Sequence, residues 1–333
     1  MTPWTALSDG ARPVGCAPSR GADLAPQRPY ESRFADWYDA ASLRTRPPLD
    51  ASAVGGQSYF PPDLAPILQH PLVESLGPAG QREGQLQCLF SYLTFTDRLE
   101  DEVVNRSARR IARGAVDLPF AAAMRLDAYK IYCDEGYHSL LSADLMAQLA
   151  AREGFAYDGG SGHPALTYFH AKRASFDSSS RRWFDLFFAI VSETLISASL
   201  LRIPRDPDLL PAVRHLVGDH AADECRHHSF FSEVCQLAWP RVPSRIRHAL
   251  GTAIPRCIAE FLDPDTPAMM AFLVRYLGRR RAADVVAEAY PLAARQAHAR
   301  SACRASLRVF EQAGLLEDTA VVDAFAAHGL ASR

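Results

Sequence analysis

Two copies of Asp-Glu-x-x-His stand about ninety residues apart in this chain: Asp134-Glu135-x-x-His138 and Asp223-Glu224-x-x-His227. On an α-helix, positions i and i+3 share a face, about one turn apart. Each copy therefore sets a carboxylate beside an imidazole, which is half of a site for a divalent ion. One Glu-x-x-His alone carries little information. Two, each preceded by Asp, call for a fold that turns two helices toward a common interior.

The periodicity of the chain supplies such helices. From about residue 83 the apolar positions follow helical spacing, and alternating β-branched runs are nearly absent. Four long helices are expected, over about 85–113, 118–152, 180–201 and 208–239. The first and third joins are short, which suits antiparallel neighbours. The middle one, "EGFAYDGGSGHPALTYFHAKRASFDSSS", is long enough to cross the length of a bundle. Short, long, short is the connection pattern of a ferritin-like four-helix bundle, so the fold class is all-α. In "RIPRDPD", Asp206 reads as an N-cap before Pro207.

Additional C-terminal helices are expected over about 244–330, broken at "WPRVPS", "LDPDTP" and "EQAGLLED". Thr266-Pro267 reads as a helix start and Gly314 as a stop. Residues 1–55 are rich in Pro, Gly, Arg and Ala with no steady period, and read as a partly disordered arm. Residues 56–333 then form a single domain, with its core bundle at about 83–239.

Composition excludes several classes. A formal charge of −2 over 333 residues gives no electrostatic reason to expect nucleic acid as a partner. The run around Arg279, "RYLGRRRAAD", reads as a solvated helix end. The most apolar window, Trp183 to Leu201, contains Asp185 and Glu193 and reads as a buried core helix, so no membrane span is expected. Seven scattered cysteines without a C-x-x-C pair fit a reducing cytoplasm better than a disulfide framework. The first twenty residues lack the continuous apolar core of a secretory signal.

Each of the four helices offers a carboxylate on its apolar stripe. On the second, Met124, Ala128, Ile131, Glu135, His138 and Ser142 follow helical spacing. On the third, Glu193 sits among Phe187, Ile190, Ile196 and Leu200. An unpaired carboxylate there would cost several kcal/mol, so it needs a cation. On the fourth, His220, Glu224 and His227 are spaced four and then three, and point the same way, while His228 is turned by about 100°. On the first, the stripe of Leu89, Leu93, Thr96 and Val103 favours Glu100 over its rivals Asp97 and Glu102. A glutamate on each outer helix and Glu-x-x-His on the other two is the dimetal carboxylate plan. Asp134 and Asp223 would accept the N–H groups of ligating imidazoles. Mixed oxygen and nitrogen ligation suits iron or manganese better than zinc. His220 is surplus to that minimal plan and stays open between ligand and hydrogen-bonding neighbour.

"LEDEVVN", "DEGYHS", "SETLIS" and "DHAADECRHHSFF" resemble signature segments of the dinuclear-iron arylamine N-oxygenases, the p-aminobenzoate N-oxygenase type. The resemblance covers roughly residues 80–310. Position by position, it implies Glu100, Glu135, His138, Glu193, His220, Glu224 and His227 as metal ligands. It also implies two iron ions, O2 as co-substrate, an external electron donor or redox partner, and oxidation of a small aromatic amine to hydroxylamine and on to nitroso and nitro products, as in antibiotic biosynthesis. A basic residue near the C-terminus would grip the substrate carboxylate. Arg300 borders the stripe of Gln296, Cys303 and Leu307 and is the expected one, with Tyr92 and Phe95 as a wall for the ring. Relatives acting on an aliphatic amine or a carrier-bound amino acid would keep the same ligands. An iron-storage bundle would not need the helices beyond Pro240. A homodimer is the expectation by base rate.

Overall fold

The computed structural model describes residues 29–52, 57–159, 162–195, 200 and 203–330. Backbone packing separates a leading unit, Met1–Glu31, from one compact unit, Ser32–Arg333. Composition changes character near residue 55, but the compact unit already begins at Ser32. Phe34, Trp37 and Ala41 are buried and so are held by the bundle. The rest of the sequence-defined arm, residues 1–28 and 53–55, lies outside the described residues, as does Ile196.

Four long rods form the bundle. The first, α1, is α-helical over Gly77–Leu99, widens to a π-helical turn at Glu100–Val104, and resumes as an α-helix over Asn105–Ala112. The second, α2, is Ala122–Glu153 and ends on Gly154 in the left-handed conformation (φ 62°), which glycine adopts without strain. A shorter helix, α3 (Pro164–Ala174), lies within the long crossover. That stretch reads as loop in the sequence, yet Pro164 at the first helical position and the His163 ring, whose Nδ1 accepts from the Ala165 N–H, start a helix there. The third rod, α4, is Ser178–Leu195, and the fourth, α5, is Pro211–Ala238.

Asp206 does not cap α5. It accepts from the Asp208 N–H in a local turn, and the helix begins at Pro211 with Leu210 before it. Around the ring, α1 packs on α2, α2 on α5, α5 on α4, and α4 back on the π turn and last segment of α1. Every residue from Phe184 to Leu195 is buried, which is why α4 is so apolar. No described helix is long and apolar enough to cross a membrane.

Among the described residues, six further α-helices and two short 3-10 turns continue the chain, and five of the helices bear on the site. The helix α6 is Ser244–Gly251, α7 is Ile254–Leu262, α8 is Thr266–Ala289, α9 is Leu292–Ala302 and α10 is Arg304–Gln312. Thr266 does open α8, capped by the Asp265 side chain, and Gly314 follows α10 with φ 82°. The helix α7 packs on α4, α8 on α1, and α10 on both α4 and α5. Among the described residues there is no strand, only a single bridge between Ser58 and Leu209. The fold is all-α, as periodicity requires.

Candidate metal centre

Four rods bring seven ionisable side chains to one place in the middle of the bundle. Glu100, Glu135, His138, Glu193, His220, Glu224 and His227 are each no more than 2% exposed. They form two groups of four. Glu100, Glu135, His138 and His220 make one; Glu135, Glu193, Glu224 and His227 make the other. Within each group the ligand-type atoms lie within 4.8 Å of one another. Glu135 belongs to both. Its Oε2 is 3.3 Å from His138 Nδ1, and its Oε1 is 3.0 Å from His227 Nδ1. Glu224 spans likewise, with Oε1 3.1 Å from His220 Nε2 and 3.2 Å from His227 Nδ1. Glu100 Oε1 is 3.1 Å from His220 Nε2.

The helical spacing explains why these residues converge. Glu135 and His138, and Glu224 and His227, are one turn apart on α2 and α5, and His220 sits a turn before Glu224. Glu100 opens the π turn of α1. Such one-residue widenings re-aim side chains and concentrate at functional sites. The rival acids stay outside: Asp97 and Glu102 line an outward-facing cavity, where Glu102 pairs with Arg98 and His170. His228 is absent from both groups and only half-buried.

The two remaining motif residues exchange partners across the bundle. His138 Nε2, from α2, is 3.3 Å from Asp223 Oδ2 on α5. His227 Nε2, from α5, is 3.2 Å from Asp134 Oδ2 on α2. This leaves each Nδ1 turned to the glutamates. Sequence reasoning missed what lies behind the aspartates. Arg226 Nη2 donates to Asp223 Oδ1 at 2.7 Å. The Trp37 indole donates to both oxygens of Asp134, at 2.8 and 3.0 Å. The Phe34 ring lies nearly parallel to the His227 ring with centroids 6.1 Å apart. Composition gave no sign of these contacts, because a tryptophan in a Pro-rich segment has no periodic neighbours.

The electrostatics show a cluster deprived of water. Burial pushes Glu193 well above the usual carboxylate range, and its neighbours Glu224 and Glu135 add to this. Burial raises Glu100 to about 7 although His220 and His138 oppose it. For the imidazoles burial opposes charge, but the surrounding acids prevail: His220 rises to about 9, and His138 and His227 well above their ordinary value. Both oxygens of Glu193, Glu224 Oε2 and His220 Nδ1 find no hydrogen-bond partner. Orphaned buried acceptors are rare and costly, about 1–3 kcal/mol each. A cation among the glutamates would satisfy these carboxylate oxygens, so the donor set fits metal ions.

A cavity of about 420 Å³ lies along α1, α8 and α9. Tyr92 and Phe95 line it, with Phe60, Met269 and Tyr290. Tyr92 also lies within electrostatic reach of Glu100 and Glu224, which oppose its ionisation together with burial. Arg300 goes elsewhere: it is exposed and its Nη1 donates to the Gly329 carbonyl. Arg295, five residues earlier, is the arginine on the cavity wall, held by Asp263 through Nε–Oδ1 at 3.0 Å and a second contact, Nη2–Oδ2. Arg300 therefore does not face this cavity; no residue of α9 is buried, so its sequence pattern carries little phase.

A family model for p-aminobenzoate N-oxygenase AurF matches residues 42–314. The chain belongs to this family. The matched residues contain all four rods and the whole cluster. Among curated proteins of this p-aminobenzoate N-oxygenase family, the 4-aminobenzoate N-oxygenase of Streptomyces thioluteus is 24% identical over 241 residues, covering 69% of this chain and 68% of the relative. This family member is therefore an oxidoreductase of the amine N-oxygenase kind, with glutamate and histidine groups able to hold metal.

Proposed function

We propose that the two groups hold two iron ions, and that the protein uses O2 and an external electron donor to oxidise the amino group of a small aromatic amine. The reading rests most on one observation: two buried four-residue groups share Glu135 and leave carboxylate oxygens without any other partner. Glu100, His138 and His220 would serve one ion, Glu193 and His227 the other, with Glu135 and Glu224 between them. Four glutamates carry four negative charges, which balance two divalent ions. Metal entry then displaces the protons that the crowded acids and imidazoles otherwise share. When bound, the iron pair supplies activation of O2 for oxygen transfer to nitrogen.

The chain's own residues do the rest. Asp134 and Asp223 hold the Nε2–H groups of His227 and His138, which fixes each ring with Nδ1 inward. Tyr92 and Phe95 offer a flat apolar wall for an aromatic ring, and the cavity has the size of a small-molecule site. Arg295, oriented by Asp263, keeps a guanidinium edge for an acidic ring substituent. Burial of the cluster keeps bulk water from the reacting nitrogen.

Anaerobic reconstitution with ferrous iron should give about two ions per chain. With O2, a reductant and a panel of amines, mass detection should find the hydroxylamine of an arylamine and its further oxidation products. Turnover of aliphatic amines alone would move the substrate assignment. Failure to retain iron would overturn the reading.

A further inference from the structure

The two halves of the centre differ in what stands behind them. Behind His138, Asp223 meets the guanidinium of Arg226, a group that does not undergo redox chemistry under biological conditions. Behind His227, Asp134 meets the indole of Trp37, an oxidisable aromatic. The contacts run unbroken: Trp37 Nε1 to Asp134 at 2.8 Å, Asp134 Oδ2 to His227 Nε2 at 3.2 Å, and His227 Nδ1 to the shared Glu135 at 3.0 Å. Outward from Trp37, the Tyr38 ring packs edge-on with centroids 5.2 Å apart. Trp37 is only 7% exposed, whereas Tyr38 is 62% exposed. An aromatic pair thus joins the surface to a hydrogen-bonded path that ends at the cluster, on the side of His227.

We propose that Tyr38, Trp37, Asp134 and His227 form the entry route for electrons from the external donor. This rests on the dimetal reading above. The donor is a one-electron reductant of the reduced iron–sulfur class that meets the surface at Tyr38. In each event the donor cluster loses one electron and one ferric ion becomes ferrous, so two events reduce the pair. No atom moves: the indole keeps its N–H on Asp134, and the aspartate keeps the imidazole N–H. The same bonds that fix the His227 ring couple it to the indole. A large, buried tryptophan is an expensive choice if Asp134 needs only an N–H donor, because the arginine opposite serves Asp223 from the neighbouring turn.

The test separates conduction from positioning. Trp37→Gln keeps an N–H donor without a redox-active ring; Trp37→Phe keeps a ring without the donor; Tyr38→Leu changes an exposed residue, so folding is not at risk. Each is loaded with iron, its metal content is measured, and it is oxidised. Reduction by a reduced [2Fe–2S] ferredoxin is then followed by stopped-flow absorbance. The expected result is unchanged iron content, with reduction slowed about tenfold or more in Trp37→Gln and Trp37→Phe, and slowed also in Tyr38→Leu. Wild-type reduction rates in iron-loaded Trp37→Gln or Tyr38→Leu would overturn the route. Absence of iron from the wild-type protein would instead overturn the dimetal reading.

Discussion

Replacing Glu193 by methionine should move stability in opposite directions with and without metal. In the metal-free protein both Glu193 oxygens are buried without a hydrogen-bond partner, and its nearest imidazole contact is a weak one, 3.7 Å to His227 Nδ1. Each orphaned atom costs about 1–3 kcal/mol. Methionine has a flexible, polarizable chain of similar length and suits the apolar surroundings of α4. Allowing for imperfect repacking, the gain should be about 2 kcal/mol, or roughly 3 °C in melting temperature for a unit of this length. With ferrous iron the balance reverses. Wild-type protein at a hundredfold excess over Kd gains about 2.7 kcal/mol per site, and the variant loses this for the group that Glu193 serves. Scanning calorimetry of both proteins, metal-free and anaerobically loaded, measures all four values. A metal-free variant that melts below wild type, while keeping the full iron-induced shift, would refute the reasoning that this acid is present for a cation.

Other perturbations probe separate parts of the structure. Because Glu135 belongs to both groups, Glu135→Ala should lower iron content at both sites, whereas His220→Ala should affect one; metal analysis per chain distinguishes them. His163, half-buried and stacked on Phe95, has its pKa lowered to about 4, chiefly by desolvation. The unfolded chain therefore binds the extra proton first, and stability falls as pH drops from about 6.5 towards 4, by about 2–3 kcal/mol at most. In His163→Asn, which keeps a capping side chain, denaturant midpoints should lose that slope. Arg300→Ala should leave KM unchanged, while Phe95→Ala, in the cavity wall, should raise it; steady-state kinetics on the best amine of the panel decides.

What could be read without coordinates was what is local. A spacing of three or four residues on a helix decides which side chains share a face. Glu135 with His138, and His220 with Glu224 and His227, were therefore legible, as was Glu193 on its apolar rod. The short, long, short joins set the order of the four rods. Even Asp134 and Asp223 were legible as neighbours of the imidazoles, since each lies beside a motif glutamate.

The pairings between helices were not legible, because they depend on how far each rod slides and turns against the next. Only the packed bundle decided that Asp134 serves His227 and Asp223 serves His138, and that Glu135 belongs to both groups. It alone placed Arg295 rather than Arg300 on the cavity wall, and widened α1 into a π turn at Glu100. It also set Trp37, from a segment with no readable pattern, against the centre. A helix repeat specifies direction around one axis; the contacts between axes come from the sum of many apolar side chains fitting together, and no short stretch of sequence contains that sum.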